Sequence, residues 1–259
     1  MIIRAINTIL LFVLCLNIVQ AQTDKIYESF SEALKNPNNV YQLDLGNQKL
    51  KSLSPEIGKF KNLKTLWLNN NNLVDLPDEI GQLVKLEMLW LDYNQLTRLP
   101  ESIGNLVNLT TLGAQRNQLS TFPQSFYRLQ KLSYIDFAEN NFIDIPESVF
   151  QLKLLENLDF MSNKIKLISP SISVLKELAI LRLSYNQIET IPDQIGQLTN
   201  LTELSLNGNK LISISGAIGN LKKLVRMYIA GNALTKLPPE TGGLTQLKEL
   251  IAEKNALSN

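Results

Sequence analysis

Four carboxylates, Asp136, Glu139, Glu156 and Asp159, come nearest in type and spacing to a reactive group in this sequence. They fall close to one 23-residue interval apart, which would gather acidic oxygens on adjacent rows of a repeating fold. A hard cation is what such a group would take. Calcium, however, needs about six to eight oxygens, and carboxylates on rigid strands rarely supply them without loop carbonyls. Arg116 and Arg182 stand one row away on either side and offer the plainer reading, charge neutralisation. No metal and no cofactor are therefore expected. Catalysis has as little support. Histidine is absent, the single cysteine, Cys15, lies in an N-terminal apolar stretch, and paired carboxylates on a solvent-washed surface lack the enclosed cleft that tunes a catalytic pKa. The recurring Ile-Gly is a turn of the repeat rather than a phosphate loop. With 25 Lys and Arg against 24 Asp and Glu, no basic footprint points to nucleic acid.

The second group worth weighing is aromatic: Trp67 and Trp90, the two tryptophans of the chain, with Met88 and Tyr93 beside them. What positions them is a 23-residue repeat, framed by Val40, Leu63, Leu86, Leu109, Leu132, Leu155, Leu178, Leu201, Leu224 and Leu247 without insertion or deletion. In one copy Leu89 and Leu91 alternate with Met88, Trp90 and Asp92, the period-two signature of a short strand with one buried and one exposed face. Asn94 follows, and an Asn recurs there through Asn255, with Gln48 standing in at the first unit. Its carboxamide both donates and accepts, which suits a point where the chain turns inward and backbone groups need partners. Leu99-Pro100 then ends regular pairing, and Ile103 and Leu106 return apolar side chains to the core by an extended or short helical path.

Parallel neighbours about 4.8 Å apart turn equivalent positions into columns on the surface. The column between the strand leucines holds Trp67, Trp90, Asp136, Asp159, Arg182 and Tyr228; its flanks hold Met88, Tyr134, Tyr93, Arg116 and Tyr185. These eleven residues are the candidate partner-binding set, since large aromatics exposed together commonly anchor interfaces. The competing reading has Trp67 and Trp90 stacking on each other merely to shield the strands. A looser cluster of Ile180, Tyr185, Tyr228 and Ile251 lies toward the C-terminal half.

This pattern resembles the leucine-rich-repeat family, in the variant with Leu-Pro-x-x-Ile-Gly-x-Leu on the convex side, over residues 40–257. The resemblance implies an α/β solenoid: a horseshoe with a parallel concave sheet of about ten short strands and an N-terminal capping helix. The opening Tyr27-Glu-Ser-Phe30-Ser-Glu-Ala-Leu34-Lys-Asn-Pro37, followed by Val40-Tyr-Gln-Leu43-Asp-Leu45, resembles exported leucine-rich-repeat proteins of the spirochaete Leptospira. That implies a bacterial, exported protein that meets host or envelope partners. The lack of Cys-rich caps agrees, because animal and plant ectodomains of this fold usually carry them.

Three segments follow. Residues 1–21 read as a signal peptide, with Arg4 in the n-region, an apolar stretch over 5–19, and cleavage after Ala21. The apolar run is too short, and too interrupted by Asn7 and Asn17, for a membrane span, so none is expected after cleavage. Residues 22–39 form the cap, with Ile26, Tyr27, Phe30, Ala33 and Leu34 on one side of a three-turn helix that ends at Asn36-Pro37. Residues 40–259 are ten repeat units, the last cut short. Either Glu253, Lys254 and Asn255 blunt the final edge and leave a monomer, the favoured case, or the strand at 248–252 pairs with a second chain. Asn108-Leu-Thr110 and Asn200-Leu-Thr202 match glycosylation acceptors that a bacterial origin would leave bare. The expected function is recognition: a module in the periplasm, on the outer surface or outside the cell, holding a protein, a host surface protein among the candidates, against its sheet. The alternative is a structural envelope component that assembles through its open C-terminal edge.

Overall fold

A computed structural model describes residues 25–258, so the segment read as a signal peptide and Cys15 lie outside the described residues. Eleven strands form one open parallel sheet in chain order, β1 (Ile26–Tyr27), β2 (Gln42–Asp44), β3 (Thr65–Trp67), β4 (Met88–Trp90), β5 (Thr111–Gly113), β6 (Tyr134–Asp136), β7 (Asn157–Asp159), β8 (Ile180–Arg182), β9 (Glu203–Ser205), β10 (Arg226–Tyr228) and β11 (Glu249–Ile251). From β2 onward each residue pairs with the one 23 positions later, as Leu66 does with Leu89 and Leu89 with Leu112. The register is the repeat itself. Leu43, Leu66, Leu89, Leu112, Ile135, Leu158, Leu181, Leu204 and Met227 are all fully buried, and so is the second column from Leu45 to Ile229. This is the inward alternation expected of the strands.

The asparagine positions behave as their chemistry requires. Asn94 donates from Nδ2 to the carbonyls of Leu68 and Leu91, each at 2.9 Å, and its Oδ1 accepts the amide of Leu73 at 3.0 Å. Asn163 does the same one region on, to Phe137 at 2.9 Å and Phe160 at 3.1 Å, accepting from Phe142 at 3.0 Å. Each carboxamide thus ties the end of one strand to the strand before it and satisfies backbone groups that the turn would strand in the core. Beyond the ladder, five-residue 3-10 turns such as Glu101–Asn105 cross the far side, entered through Pro100. In the middle of the solenoid phenylalanines replace leucines. Phe122 stacks on Phe126 at 4.0 Å and meets Phe137 at 4.7 Å.

The N-terminal end differs from the expected three-turn helix. The helix α1 is confined to Phe30–Leu34, and Ile26 and Tyr27, expected on its apolar side, are strand β1, pairing with Gln42 and Leu43. Two causes favour this outcome. A β-branched and an aromatic residue suit an extended backbone that meets the open edge of β2. Ser29 accepts the amide of Glu32 at 3.3 Å as a helix N-cap, so the helix starts after it. Phe30 then packs edge-on against Phe60 at 5.6 Å, and Ala33 is fully buried.

Candidate functional site

The outward face of the sheet carries every side chain that the columns single out, and its geometry begins with a gap. Gly113 follows Trp90 in register, and a Cβ there would lie 2.4 Å from Cε3 of the indole. Trp90 therefore lies flat across β5 and reaches Tyr134 on β6, with ring centroids 6.0 Å apart and planes tilted by 56°. Trp67 pairs with Trp90 in register, but no ring contact joins them among the described residues. The mutual stack weighed from sequence is replaced by a Trp90–Tyr134 platform. Met88 flanks it, partly buried.

A second column has a conformational signature. Asn47, Asn70, Tyr93, Arg116, Glu139, Ser162, Tyr185, Gly208, Gly231 and Lys254 all have φ between 53° and 63°. The residue that leaves each strand is left-handed, which bulky side chains rarely adopt. This turns Tyr93, Arg116 and Glu139 outward as a chain of contacts. The Arg116 guanidinium lies 5.1 Å from the Tyr93 ring centre, and its Nε is 2.6 Å from Glu139 Oε2. Asn and Gly at several positions of the column were the sequence signal for this backbone, and composition alone did not bring it out.

Three aspartates border the aromatic platform. Asp136 and Asp159 face each other across β6 and β7. Their Oδ1 atoms accept the amides of Ala138 and Met161, each at 2.9 Å, and Asp92 accepts the amide of Gln115 at 2.7 Å. Burial pushes Asp92 and Asp159 up to about 6, against the pull of these amides, and the charge of Asp136 adds to the rise in both. Asp136 is raised too, chiefly by burial, although Arg182 and the Tyr134 hydroxyl pull it down. Tyr134 is pushed up to about 12 by burial and by the three aspartates around it. Neither Asp92 nor Asp136 has an ion-pair partner among the described residues, and Arg182 comes no nearer to Asp159 than 3.8 Å. The four-carboxylate group weighed from sequence is dispersed: Glu139 turns to Arg116 and Glu156 is exposed. Among the described residues no three acidic, His or Cys side chains are placed to hold a metal.

From β8 onward the pattern changes. Arg182 meets Glu203 at 2.7 Å and Arg226 meets the other oxygen of Glu203 at 2.8 Å. Burial alone would raise Glu203, but the two guanidiniums outweigh it and hold the carboxyl below its usual range. Tyr228 donates to Glu249 at 2.8 Å. Tyr185, 61% exposed, lies over Gly208 as Trp90 does over Gly113, with a Cβ on Gly208 falling 2.7 Å from its ring. It joins no aromatic partner among the described residues, so the C-terminal cluster of Ile180, Tyr185, Tyr228 and Ile251 does not assemble into a platform. Asp92 and Glu203 were absent from the candidate set. Their partners, at intervals of 21 or 23 residues, were legible in the columns, but their depth was not.

A family model described as a leucine-rich repeat region matches residues 11–112 and 124–215. A solved leucine-rich-repeat protein of Leptospira interrogans is 34% identical, with 91% of this chain and 72% of that one covered at a TM-score of 0.76. A plant peptide hormone receptor solved in complex with the peptide RGF2 is 30% identical over 83% of this chain, with a TM-score of 0.69. The ectodomain of an Arabidopsis thaliana membrane receptor kinase, in complex with Casparian strip integrity factor 2, is also 30% identical over 83%, with a TM-score of 0.65. This chain spans 39% and 29% of those two plant chains. No protein of curated function matches it. Among the described residues no helix is long and apolar enough to cross a membrane.

Proposed function

The chain belongs to the leucine-rich-repeat family, and from that premise we propose that it is an exported module whose sheet face docks a protein on the surface of a host cell. The observation that carries this reading is the Trp90–Tyr134 platform, laid open over Gly113 on the face opposite the leucines. Aromatic anchors of this kind supply most of the energy of many interfaces. Plant neighbours of similar architecture, solved in complex with RGF2 and with Casparian strip integrity factor 2, support a binding role. Export rests on the signal-like segment at residues 1–21, and a role in binding on the repeat architecture that presents this open face. The test is capture of host-surface proteins by residues 22–259, followed by cross-linking to locate the contact. Substituting Trp67→Ala and Trp90→Ala together is expected to abolish capture, with the circular dichroism spectrum unchanged. Capture that survives both substitutions would sink the reading.

One observation favours a second reading. Leu250 is 40% exposed, whereas its equivalents from Leu43 to Met227 are fully buried. A second copy laid against β11 would cover it, making the protein an envelope component that assembles through this edge. A light-scattering series in which mass does not rise with concentration excludes that assembly.

A further inference from the structure

We propose that the partner offers the sheet face an extended basic segment, whose arginine or lysine side chains seat between the Trp90–Tyr134 platform and the carboxylates of Asp92, Asp136 and Asp159. This rests on the sheet-face reading above and names the chemistry of its partner.

Charge complementarity is the first argument. The three aspartates border one aromatic pair, and the nearest approach of a guanidinium to any of them among the described residues is the 3.8 Å from Arg182 to Asp159. A partner cation would face negative charge that the protein leaves largely uncompensated, on a surface where burial already penalises that charge. The second argument is that the face binds guanidinium groups of its own. Arg116 is held by the Tyr93 ring at 5.1 Å and by Glu139 at 2.6 Å, an aromatic face and a carboxylate acting together. Trp90 and Tyr134 with Asp92, Asp136 and Asp159 offer the same two components one column further in on the same strands, where Arg182, 3.8 Å from Asp159, makes no bond as short as that of Arg116 to Glu139. The carboxylates are also fixed in place. Each is oriented by a backbone amide at 2.7 to 2.9 Å, so little side-chain freedom is lost when a cation arrives.

The dimensions favour an extended segment. From β4 to β7 the site crosses three strand spacings, about 14 Å in all, which about four or five extended residues would span. Such a segment alternates its side chains, so every second residue points at the sheet.

The experiment uses residues 22–259 and three fluorescein-labelled peptides read by anisotropy. One alternates glycine with arginine over seven residues, one has citrulline in place of each arginine, and one has glutamate. The arginine peptide is expected to bind about tenfold more tightly than its citrulline counterpart, and the glutamate peptide not at all. Substituting Asp136→Asn and Asp159→Asn together, which preserves acceptors for the Ala138 and Met161 amides, is expected to remove the arginine preference. Equal affinity for arginine and citrulline peptides overturns the proposal, as does an arginine preference that survives D136N and D159N. The two readings fail separately. If W67A and W90A abolish capture of host protein while the peptides show no arginine preference, the basic segment is wrong and the docking face stands. Capture indifferent to both tryptophans removes the face itself.

Discussion

Between β4 and β7 the sheet face carries Asp92, Asp136 and Asp159 around an open aromatic pair, and Arg182 approaches them only to 3.8 Å. Between β8 and β11 the same face holds Glu203 clasped by Arg182 and Arg226 at 2.7 and 2.8 Å, with Tyr228 bound to Glu249. Both halves stand on the same buried leucines and the same asparagine ladder, so the backbone does not distinguish them. The difference lies in whether the carboxylates are closely paired with guanidinium groups within the protein. Where they are, as at Glu203, the desolvation of the charges is offset internally and a partner would have to break bonds to make new ones. Where they are not, the cost of burial is already borne by the fold and a partner can relieve it. A scaffold can thus concentrate recognition in one half by closing off the other.

The sharpest way to break this contrast is at Gly113. A valine there brings side-chain atoms into the space of the Trp90 indole, which must lift off β5 and part from Tyr134. Partner binding, measured by titration calorimetry, is expected to weaken about thirtyfold, the loss of roughly 2 kcal/mol typical of a disrupted aromatic anchor. Tyr185→Ala provides the matched change in the other half. It removes an aromatic that also lies over a glycine but touches no second ring, and affinity is expected to stay within about threefold. Equal losses from the two variants would erase the distinction between the halves.

A smaller effect is expected from Glu203→Gln, which removes the negative charge shared by Arg182 and Arg226. Arg182, already 3.8 Å from Asp159, then turns toward the aspartates and supplies from within the cation that a partner would bring. The Asp159 carboxyl is expected to titrate below its present value of about 6, as carbon NMR of the carboxyl groups would record. The arginine peptide is expected to bind several-fold more weakly, and the fold to lose on the order of 1–3 kcal/mol for the broken charged hydrogen bonds. An Asp159 titration that does not move shows that Arg182 stays where it is.

How much of this could be read from the sequence follows from what repeats. The leucine columns and Asn71 to Asn255 recur at 23-residue steps because each answers a need that every turn of the backbone has, and those positions were legible. The face answers no such need, and its residues differ from one unit to the next. Membership of a column located Trp90, but its partner depended on the missing side chain at Gly113, so the ring passes over β5 to Tyr134. The left-handed column was hinted at only by Asn47, Asn70, Gly208 and Gly231, while Tyr93 and Arg116 masked it. At the N-terminus, helical spacing of apolar residues gave a longer helix than the one that forms, because the spacing does not register the hydrogen bonds that the edge of β2 offers to Ile26 and Tyr27. Asp92 and Glu203 look alike as acids in columns. Only the geometry shows one without a counter-ion among the described residues and the other with two.

The smallest expected effect bears on the cost of the open half. Asp92 sits at about 6, above the ordinary aspartate value of the unfolded chain, because burial penalises its charge. Asp136 and Tyr134 act on it electrostatically, and Arg116, in the next column, is committed to Glu139. Between about pH 4 and pH 6 the folded protein retains a proton that the unfolded chain releases, so the contribution of Asp92 to stability falls as pH rises through that window. Asp92→Asn removes the charge and keeps an oxygen for the Gln115 amide that now bonds at 2.7 Å. Discounted for its partial exposure to water, the gain at pH 7.5 is expected to be about 1 kcal/mol, read as a higher denaturant midpoint, and to vanish near pH 4. The same variant is expected to bind the arginine peptide more weakly, and the wild type to lose affinity as pH falls below 6 and Asp92 and Asp159 take up protons. A variant that is more stable and binds less is the mark of a residue kept at some cost to the fold for a partner. If D92N gains no stability at pH 7.5, the open half carries no such strain, and the two halves of the face differ in sequence alone.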